Sequence, residues 1–472
     1  MTDCDLVVLG AGPAGSAAAL AAVQAGLNVV LVDENHAPGG QVYRPSPPTF
    51  ASEAAHRDPG AILRARVAES SVRTAFSHQV WSVSPGFRVD AIGPDGPVSW
   101  QARGLVVATG TTERVVPFPG WTTPGVIGLA GATIALKAQH GLPGARPVIA
   151  GCGPLLLAVA GSILEAGGRV AAIVDIAGPS NWARLGPSAP RRPDLVGQAT
   201  RWSAAIWRNR VPVLRRHGIA AVEPLGDGLL VRTQPVDEAG RPIPDTTGPS
   251  IETDALAVGH GLVPNTEITR LLGTEHAYSA AAGGWTATRD ALGRSTVPGL
   301  YIAGDGAGIT GAKPAAYEGQ LAGLAAAADL GGLAATTAEA RAGGPRRKLG
   351  WTAPFGAAVA RLLALREGQV DAIPTNVTVC RCEDITRAEI DAAIRDGARD
   401  VNQLKAWTRC GMGPCQGRTC GDIVGALVAG HQRDRAAAGL WTARVPLRPV
   451  PVDLLTGSFA YSDIPIPKAA PL

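Results

Sequence analysis

The sequence predicts an α/β protein with two Rossmann-like dinucleotide-binding domains and a small, mostly helical third domain. Two glycine-rich turns, beginning at Gly10 and Gly151, each stand between an apolar strand and a helix. Five of the seven cysteines lie between Cys380 and Cys420. The repeated strand, turn and helix indicates an internal duplication, and the clustered cysteines indicate a separate module.

Composition and charge exclude several classes of function. The net charge is +4 over 472 residues, and the basic residues are scattered except around Arg341 to Lys348, so nucleic-acid binding is not indicated. We expect no signal peptide at Met1 to Leu9 and no transmembrane segment, because glycine and proline interrupt the long uncharged stretches. We expect a cytoplasmic protein, and a peripheral position at the inner face of the membrane stays open.

The first glycine-rich turn has the full context of a dinucleotide site. Strand, G-x-G-x-x-G, helix, second strand and acid follow one another from Asp5 to Asp33. Gly10 permits the turn, Gly12 lets the backbone approach a pyrophosphate, and Gly15 lets the helix lie close to the strand. The helix N-terminus offers free N–H groups to phosphates, and an acid at the end of the second strand accepts hydrogen bonds from ribose. The candidate contacts are Gly10, Gly12, Pro13, Ala14, Gly15, Asp33 and Glu34.

Two later segments identify the nucleotide through a family resemblance. Gly104 to Gly110 and Leu300 to Asp305 are apolar strands that end in Ala-Thr-Gly and Gly-Asp. Taken alone, each segment could be only a buried strand followed by a turn. Together and in this order, they resemble two segments of the flavoproteins of the thioredoxin-reductase and glutathione-reductase type. The resemblance implies FAD, with Asp305 on the flavin ribityl chain, and it leaves another adenine nucleotide open. The further candidate contacts that it implies are Gly40, Gln41, Arg44, Thr109, Gly110, Gly304 and Asp305.

The second glycine-rich unit, Arg146 to Asp175, departs from the pattern. Leu156 stands where the third glycine is expected, which would push the helix away from the strand and alter the phosphate site. No basic pair follows Asp175, so NADP is not expected. Use of NAD(H) stays uncertain, and a vestigial or structural domain is favoured. Cys4 and Cys152 lack a C-x-x-C partner, which argues against disulfide reduction and favours core positions.

The cysteine cluster predicts a metal centre. Cys380 and Cys382 form one close pair, and Cys415 and Cys420 form another after 32 intervening residues. Four thiolates suit Zn²⁺ or an iron–sulfur cluster. The pairs resemble the [2Fe-2S] domain of the bacterioferritin-associated-ferredoxin type, which implies Cys380, Cys382, Cys415 and Cys420 as ligands. Cys410 is expected to be a bystander, with a spare or competing ligand as the alternative.

Helices are expected around these pairs, over Thr386 to Gly397 with Asp384 as cap and over Val401 to Thr408. The following Gly411-Met412-Gly413 turn is expected to aim backbone N–H groups at the sulfurs, which stabilises a reduced cluster.

The segment Thr408 to Cys420, together with Pro38 to Arg44, resembles the electron-transfer subunits of heteromeric amine and amino-acid dehydrogenases. This family includes opine oxidases, hydrogen cyanide synthase and dye-linked proline and hydroxyproline dehydrogenases. The resemblance implies a hetero-oligomer in which a glycine-oxidase-like FAD subunit oxidises the C–N bond. This chain would relay electrons to a quinone or other acceptor. An FMN at the interface between subunits stays open, as does a small ferredoxin-like subunit.

Two rival functions remain at this point: a self-sufficient NAD(H)-dependent reductase of a ferredoxin-like carrier, and a non-catalytic scaffold. The predicted domains are 1–120 and 251–335 for the FAD-binding domain, 121–250 for the degenerate nucleotide-binding domain, 336–375 for a linker, 376–430 for the [2Fe-2S] domain, and 431–472 for an extended C-terminal arm or a disordered end.

Overall fold

The fold is described from a computed structural model, which covers residues 2–45, 58–432 and 434–454. The first domain contains a twisted sheet in which the order is β3-β2-β1-β6-β5-β4. Its apolar strands β1 and β2 are buried because both faces of the sheet are covered. The elements are β1 (Thr2–Leu9), α1 (Pro13–Val23), β2 (Val29–Asp33), α2 (Pro59–Ala68), β3 (Arg73–Phe76), β4 (Gln79–Ser84), β5 (Arg88–Gly93), β6 (Gly96–Val107) and β7 (Thr111–Glu113).

The second domain repeats this plan with a smaller parallel sheet of order β11-β10-β9-β15-β8, beside an antiparallel sheet of β12, β13 and β14. Its elements are β8 (Val126–Gly128), α3 (Leu129–Ala138), β9 (Val148–Gly151), α4 (Pro154–Glu165), β10 (Ala172–Asp175), α5 (Pro179–Ala183), α6 (Pro193–Arg208), β11 (Val213–Arg215), β12 (His217–Leu225), β13 (Gly228–Pro235), β14 (Ser250–Thr253) and β15 (Leu256–Gly259).

The predicted boundary at residue 250 falls two strands too early, because β14 pairs with β13 and β15 pairs with β9 in the second domain. Strand β15 pairs with β9 and β8, with Leu256 beside Val148, so the second domain extends to Gly259. The chain then returns to the first domain, where the strand ending at Ile302 pairs with β6. The returning elements are β16 (Leu262–Pro264), α7 (Glu267–Leu271), β17 (His276–Ser279), β18 (Gly284–Ala287), β19 (Leu300–Ile302) and α8 (Ala312–Asp329).

The predicted linker is largely helical. A single helix, α9 (Ala335–Leu362), runs through the glycines and prolines from which a connection was predicted, and a short α10 (Glu367–Asp371) follows it. Helix α9 packs along α8. A Cβ added at Gly356 would lie 1.9 Å from the Thr310 carbonyl oxygen, so this glycine allows close packing and does not mark a flexible connection. No helix in the described ranges is long and apolar enough to cross a bilayer.

The C-terminal module contains a small hairpin and three helices. Helix α12 has the predicted bounds. The cap of α11 differs from the prediction: Thr386 caps it through a reciprocal pair of hydrogen bonds with Glu389, and Asp384 instead accepts a hydrogen bond from Thr378. The elements are β20 (Thr378–Cys380), β21 (Ile385–Thr386), α11 (Arg387–Arg395), α12 (Val401–Thr408) and α13 (Gly421–Gln432).

The described part of the C-terminal arm lies on its own chain. The Trp441 indole covers the loop before α13, where Cβ atoms at Gly411 and Gly421 would each come within 2.8 Å of its ring. Farther along, the Leu447 amide donates to the Trp81 carbonyl oxygen in the first domain. The rest of the predicted arm, residues 455–472, lies outside the described residues.

The module is joined to both nucleotide-binding domains. Its core is continuous with that of the second domain, and Trp121 donates from Nε1 to the Thr378 carbonyl oxygen at 2.8 Å. Arg114, whose side chain is 3% exposed, pairs with Asp422 of α13 at 2.7 Å. A buried ion pair of this kind fixes the orientation of the module, because movement of one partner would leave the other as an uncompensated buried charge.

We predict that Arg114→Met lowers the free energy of unfolding by about 3 kcal/mol, because a buried carboxylate loses one of its partners. The variant should also release the module, which limited proteolysis between α9 and β20 would detect. Thermal unfolding followed by circular dichroism measures the stability.

The matched control is Arg232→Met, which removes an exposed pair with Glu223 and should leave the melting temperature nearly unchanged. Equal melting temperatures for the Arg114 and Arg232 variants would contradict the assigned role of Arg114.

Candidate functional site

The first glycine-rich turn has the geometry that its sequence predicts. Gly10 adopts a φ of +97°, and a Cβ at Gly15 would lie 1.7 Å from the Gly10 carbonyl oxygen. Both positions therefore require glycine. A Cβ at Gly12 would meet only the Gly40 Cα, at 3.8 Å, which leaves the outer side of this turn open to a ligand.

Two helix N-termini meet at Gly304. A Cβ placed on Gly304 would lie 2.7 Å from Ala14 Cβ in α1 and 3.5 Å from Ala315 Cβ in α8. Neither helix has a side-chain cap, so the first-turn N–H groups of both are available to an anionic ligand. Uncapped helix N-termini of this kind are suited to phosphate groups.

The two acids after β2 differ in their availability. Asp33 is 8% exposed, and its Oδ2 accepts the Ala11 amide at 2.5 Å while Oδ1 accepts two hydrogen bonds from Asn35. Both Asp33 oxygens are therefore occupied, Oδ2 by the glycine turn and Oδ1 by Asn35. Glu34 is exposed at the same strand end. The sequence predicts both acids as candidates, and within the described part of the chain Glu34 is the one whose carboxylate is exposed.

The other predicted contacts gather around the same turn. The Gly39 amide donates to the Ala11 carbonyl oxygen, which brings the loop with Gly40, Gln41 and Arg44 against it, and Arg44 donates to Gln41. Asp305 accepts the amides of Thr310 and Gly311 through Oδ1. Burial raises the pKa of Asp305.

On the β6 side, the turn meets the segment with Thr109 and Gly110. The Ala108 amide donates to Leu9, and Asn265 donates to Gly110.

Sequence reasoning missed the role of Glu318. Its Oε2 accepts the Gly304 amide at 2.9 Å and pairs with Arg289 at 3.1 Å. This carboxylate orients the Gly304 turn from behind. The only signal was its place in the helix after the Gly-Asp segment, which does not distinguish it from other helical acids.

The corresponding site of the second domain is filled by the chain itself. Leu363, at the end of α9, lies 2.5 Å from where a Gly153 Cβ would stand, and Cys152 donates to the Leu362 carbonyl oxygen. Asp175 accepts the Trp182 indole at 2.7 Å in place of a ribose. Leu156 packs in the core of this domain, and the glycine turn and the acid Asp175 are both in contact with other parts of the same chain.

The module brings its cysteines together. The Sγ atoms of Cys380, Cys410 and Cys420 all lie within 4.8 Å of one another and are buried. Cys382 and Cys415 form a second, half-buried pair joined by a hydrogen bond. Cys410, expected to be a bystander, thus lies among the predicted ligands, because the turn after α12 directs it inward.

The clustered thiols differ in pKa: the neighbouring Cys380 sulfur raises the pKa of Cys410 and of Cys420, and burial raises that of Cys382. Hydrogen bonds from Cys410 and Cys420 hold the pKa of the Cys380 thiol far below its ordinary range, and the Gly411 amide contributes. This agrees with the expectation that the glycine turn aims N–H groups at sulfur. A Cβ at Gly413 would lie 2.3 Å from Cys382 Cβ, so glycine is required there.

Residues 4–326 match the family model described as pyridine nucleotide-disulphide oxidoreductase. The chain belongs to this family. Membership confirms the predicted fold class and implies FAD as a cofactor of this oxidoreductase. Residues 377–458 match the model described as the sarcosine oxidase A3 domain, which covers the cysteine module and the described arm.

Relatives of this oxidoreductase span its whole length. One subunit of the opine oxidase of Rhizobium meliloti (strain 1021) is 34% identical, over 95% of this chain and 98% of the relative. The HcnB subunit of the hydrogen cyanide synthase of Pseudomonas aeruginosa is also 34% identical, over 94% of this chain and 97% of the relative. These matches confirm the resemblance drawn from the motifs.

A crystal structure of L-proline dehydrogenase from P. horikoshii has the same fold. Its TM-score is 0.66 at 20% identity, over 97% of this chain and 80% of that chain.

Glu113, at the junction of the two nucleotide-binding domains, provides a pH-dependent prediction. Its Oε1 accepts the Ala130 amide at the start of α3, and burial raises its pKa to about 7. Because the folded-state pKa exceeds the unfolded value, the wild type should lose stability as pH rises from about 4.5 to about 7, by roughly 3 kcal/mol. Glu113→Gln should remove this loss, as melting temperatures across that pH range would measure. If the melting temperatures of the wild type and of Glu113→Gln changed equally with pH, the raised pKa would not belong to Glu113.

Proposed function

We propose that this oxidoreductase is the electron-transfer subunit of a heteromeric FAD-dependent amine or amino-acid dehydrogenase, of the opine or the proline and hydroxyproline type. The cysteine module carries this proposal: the sulfurs of Cys380, Cys410 and Cys420 lie together and Cys382 pairs with Cys415, and a thiolate-rich site joined to a flavoprotein fold suits electron transfer. The full-length relatives support it, since the opine oxidase relative and the hydrogen cyanide synthase relative are both subunits of their enzymes.

We assign FAD to the first domain and a [2Fe-2S] cluster to Cys380, Cys382, Cys415 and Cys420. When bound, the flavin exchanges two electrons or one and the cluster exchanges single electrons. The ends of α1 and α8 would hold the phosphates, Glu34 the ribose, and Asp305 the ribityl chain through its Oδ2. The Gly411 amide and the Trp441 indole would cover the cluster and exclude water from its buried side.

A glycine-oxidase-like FAD subunit would oxidise the C–N bond, and a quinone or other carrier would accept the electrons. An FMN at an interface belongs to the same proposal, as does a small ferredoxin-like subunit. We place the complex in the cytoplasm. The self-sufficient NAD(H) reductase is not favoured, because Leu363 and Trp182 fill the positions that a nicotinamide nucleotide would need.

The decisive experiment is anaerobic purification of the full chain. We expect bound FAD together with two irons and two acid-labile sulfides per chain, as a [2Fe-2S] cluster contains. NADH should fail to bleach the flavin, because the second site is closed. Cys415→Ser should lose the iron, whereas Cys4→Ser, a matched change of a buried cysteine in β1, should retain it. Protein with zinc only, or flavin reduced by NADH, would overturn the proposal.

The difference between Glu34 and Asp33 gives a separate prediction. Glu34→Gln should weaken FAD binding by about tenfold, the loss of one charge-assisted hydrogen bond, with the melting temperature of the apoprotein unchanged. Asp33→Asn should lower that melting temperature, because an amide cannot accept the Ala11 and Asn35 donors on both sides. FAD titration and thermal unfolding separate the two effects, and the opposite pattern would return the ribose contact to Asp33.

A further inference from the structure

Cys410 is the one cysteine of the module that the proposed ligand set does not use. Its side chain is fully buried, and its Sγ lies within 4.8 Å of the sulfurs of Cys380 and Cys420. The backbone fixes it there: Arg409 ends α12 with a φ of +63°, and the Cys410 amide donates to Thr408 Oγ1 at 3.1 Å. Its approach to the other sulfurs is therefore part of the fold.

A fifth cysteine in this position needs a role. A [2Fe-2S] cluster takes four protein thiolates, and Cys382 and Cys415 form the pair that completes the set with Cys380 and Cys420. Cys410 then keeps its proton, and a buried S–H needs an acceptor. The sulfurs of Cys380 and Cys420 both lie within 4.8 Å of the Cys410 Sγ and are the acceptors within its reach.

We infer that the Cys410 thiol donates a hydrogen bond to one of the two neighbouring ligand sulfurs, that of Cys380 or of Cys420, in the cluster-bound protein and thereby raises the reduction potential of the cluster. The inference rests on the proposed [2Fe-2S] function. The physical reason is charge: a reduced cluster carries one more negative charge than the oxidised form, so a donor to a ligand sulfur stabilises the reduced form more. Cys410 is thus a positioning residue that acts on the cluster through its ligand.

The test compares the full-length wild type with Cys410→Ala, Cys410→Ser and, as a matched control, Cys4→Ala, which removes a buried cysteine far from the module in sequence and lying in β1. Each protein is purified anaerobically, its iron and sulfide are counted, and its cluster potential is measured by redox titration with electron paramagnetic resonance. We expect all four proteins to hold the same iron and sulfide.

Cys410→Ala should make reduction about tenfold less favourable, which is about 59 mV for a one-electron couple. Cys410→Ser keeps a donor and should have a potential closer to the wild-type value. Cys4→Ala should match the wild type.

Two results would overturn the inference while leaving the proposed function intact. A Cys410→Ala protein with the wild-type potential would show that the thiol does not act on the cluster. Loss of iron from both Cys410 variants, with circular dichroism unchanged, would make Cys410 a ligand instead of a donor. An iron-free wild type is a separate outcome, because it would overturn the proposed function itself and the inference with it.

Discussion

The buried ion pair of Arg114 and Asp422 determines how the three parts of this molecule fit together. Arg114 follows β7, at the junction of the nucleotide-binding domains, and Asp422 lies in the first turn of the cysteine module's last helix. Other N–H groups of the same guanidinium donate to the carbonyl oxygens of Gly283 and Leu363. Arg114 therefore also contacts the segment that returns to the first domain and the end of α9. Such a pair contributes little net stability, because desolvation offsets the attraction, but displacement of either partner is costly. Its main effect is to hold the module at one orientation.

The same arrangement gives the second nucleotide-binding fold a structural role. Leu363, at the end of α9, lies next to Gly153. The indole of Trp182 donates a hydrogen bond to Asp175, the acid that would otherwise hold a ribose. The core of this domain continues into the module through Val379 and Ile390. The second domain therefore presents a rigid surface for the module, and the helix that closes its site also leads the chain to that surface.

Sequence patterns predicted the features that local chemistry determines. Gly10 and Gly15 were identified because the turn and the helix contact leave no room for a side chain. The bounds of α12 were predicted correctly; Asp400 caps its start and a left-handed Arg409 follows its end. Features set by distant contacts were missed. The segment of α9 was predicted as a linker around one short helix at Phe355 to Leu365, because its glycines and prolines look like breaks, whereas packing against α8 and Thr310 stabilises a helix of 28 residues.

Sequence spacing also cannot reveal the contacts that decide two further features. One is which acid after β2 is accessible to a ligand, and the other is the inward direction of the Cys410 side chain. Asp33 and Glu34 are equivalent in a sequence pattern, and only the hydrogen bonds from the glycine turn separate them. The cysteines divide in the same way into a buried group at Cys380, Cys410 and Cys420 and a half-buried pair at Cys382 and Cys415. A cluster held by Cys380 and Cys420 on one side and by Cys382 and Cys415 on the other would have one side insulated by protein and one side near solvent. Because a low-dielectric environment strengthens hydrogen bonds, a donor on the insulated side has more influence on the potential than one at the exposed pair, and Cys410 lies on the insulated side.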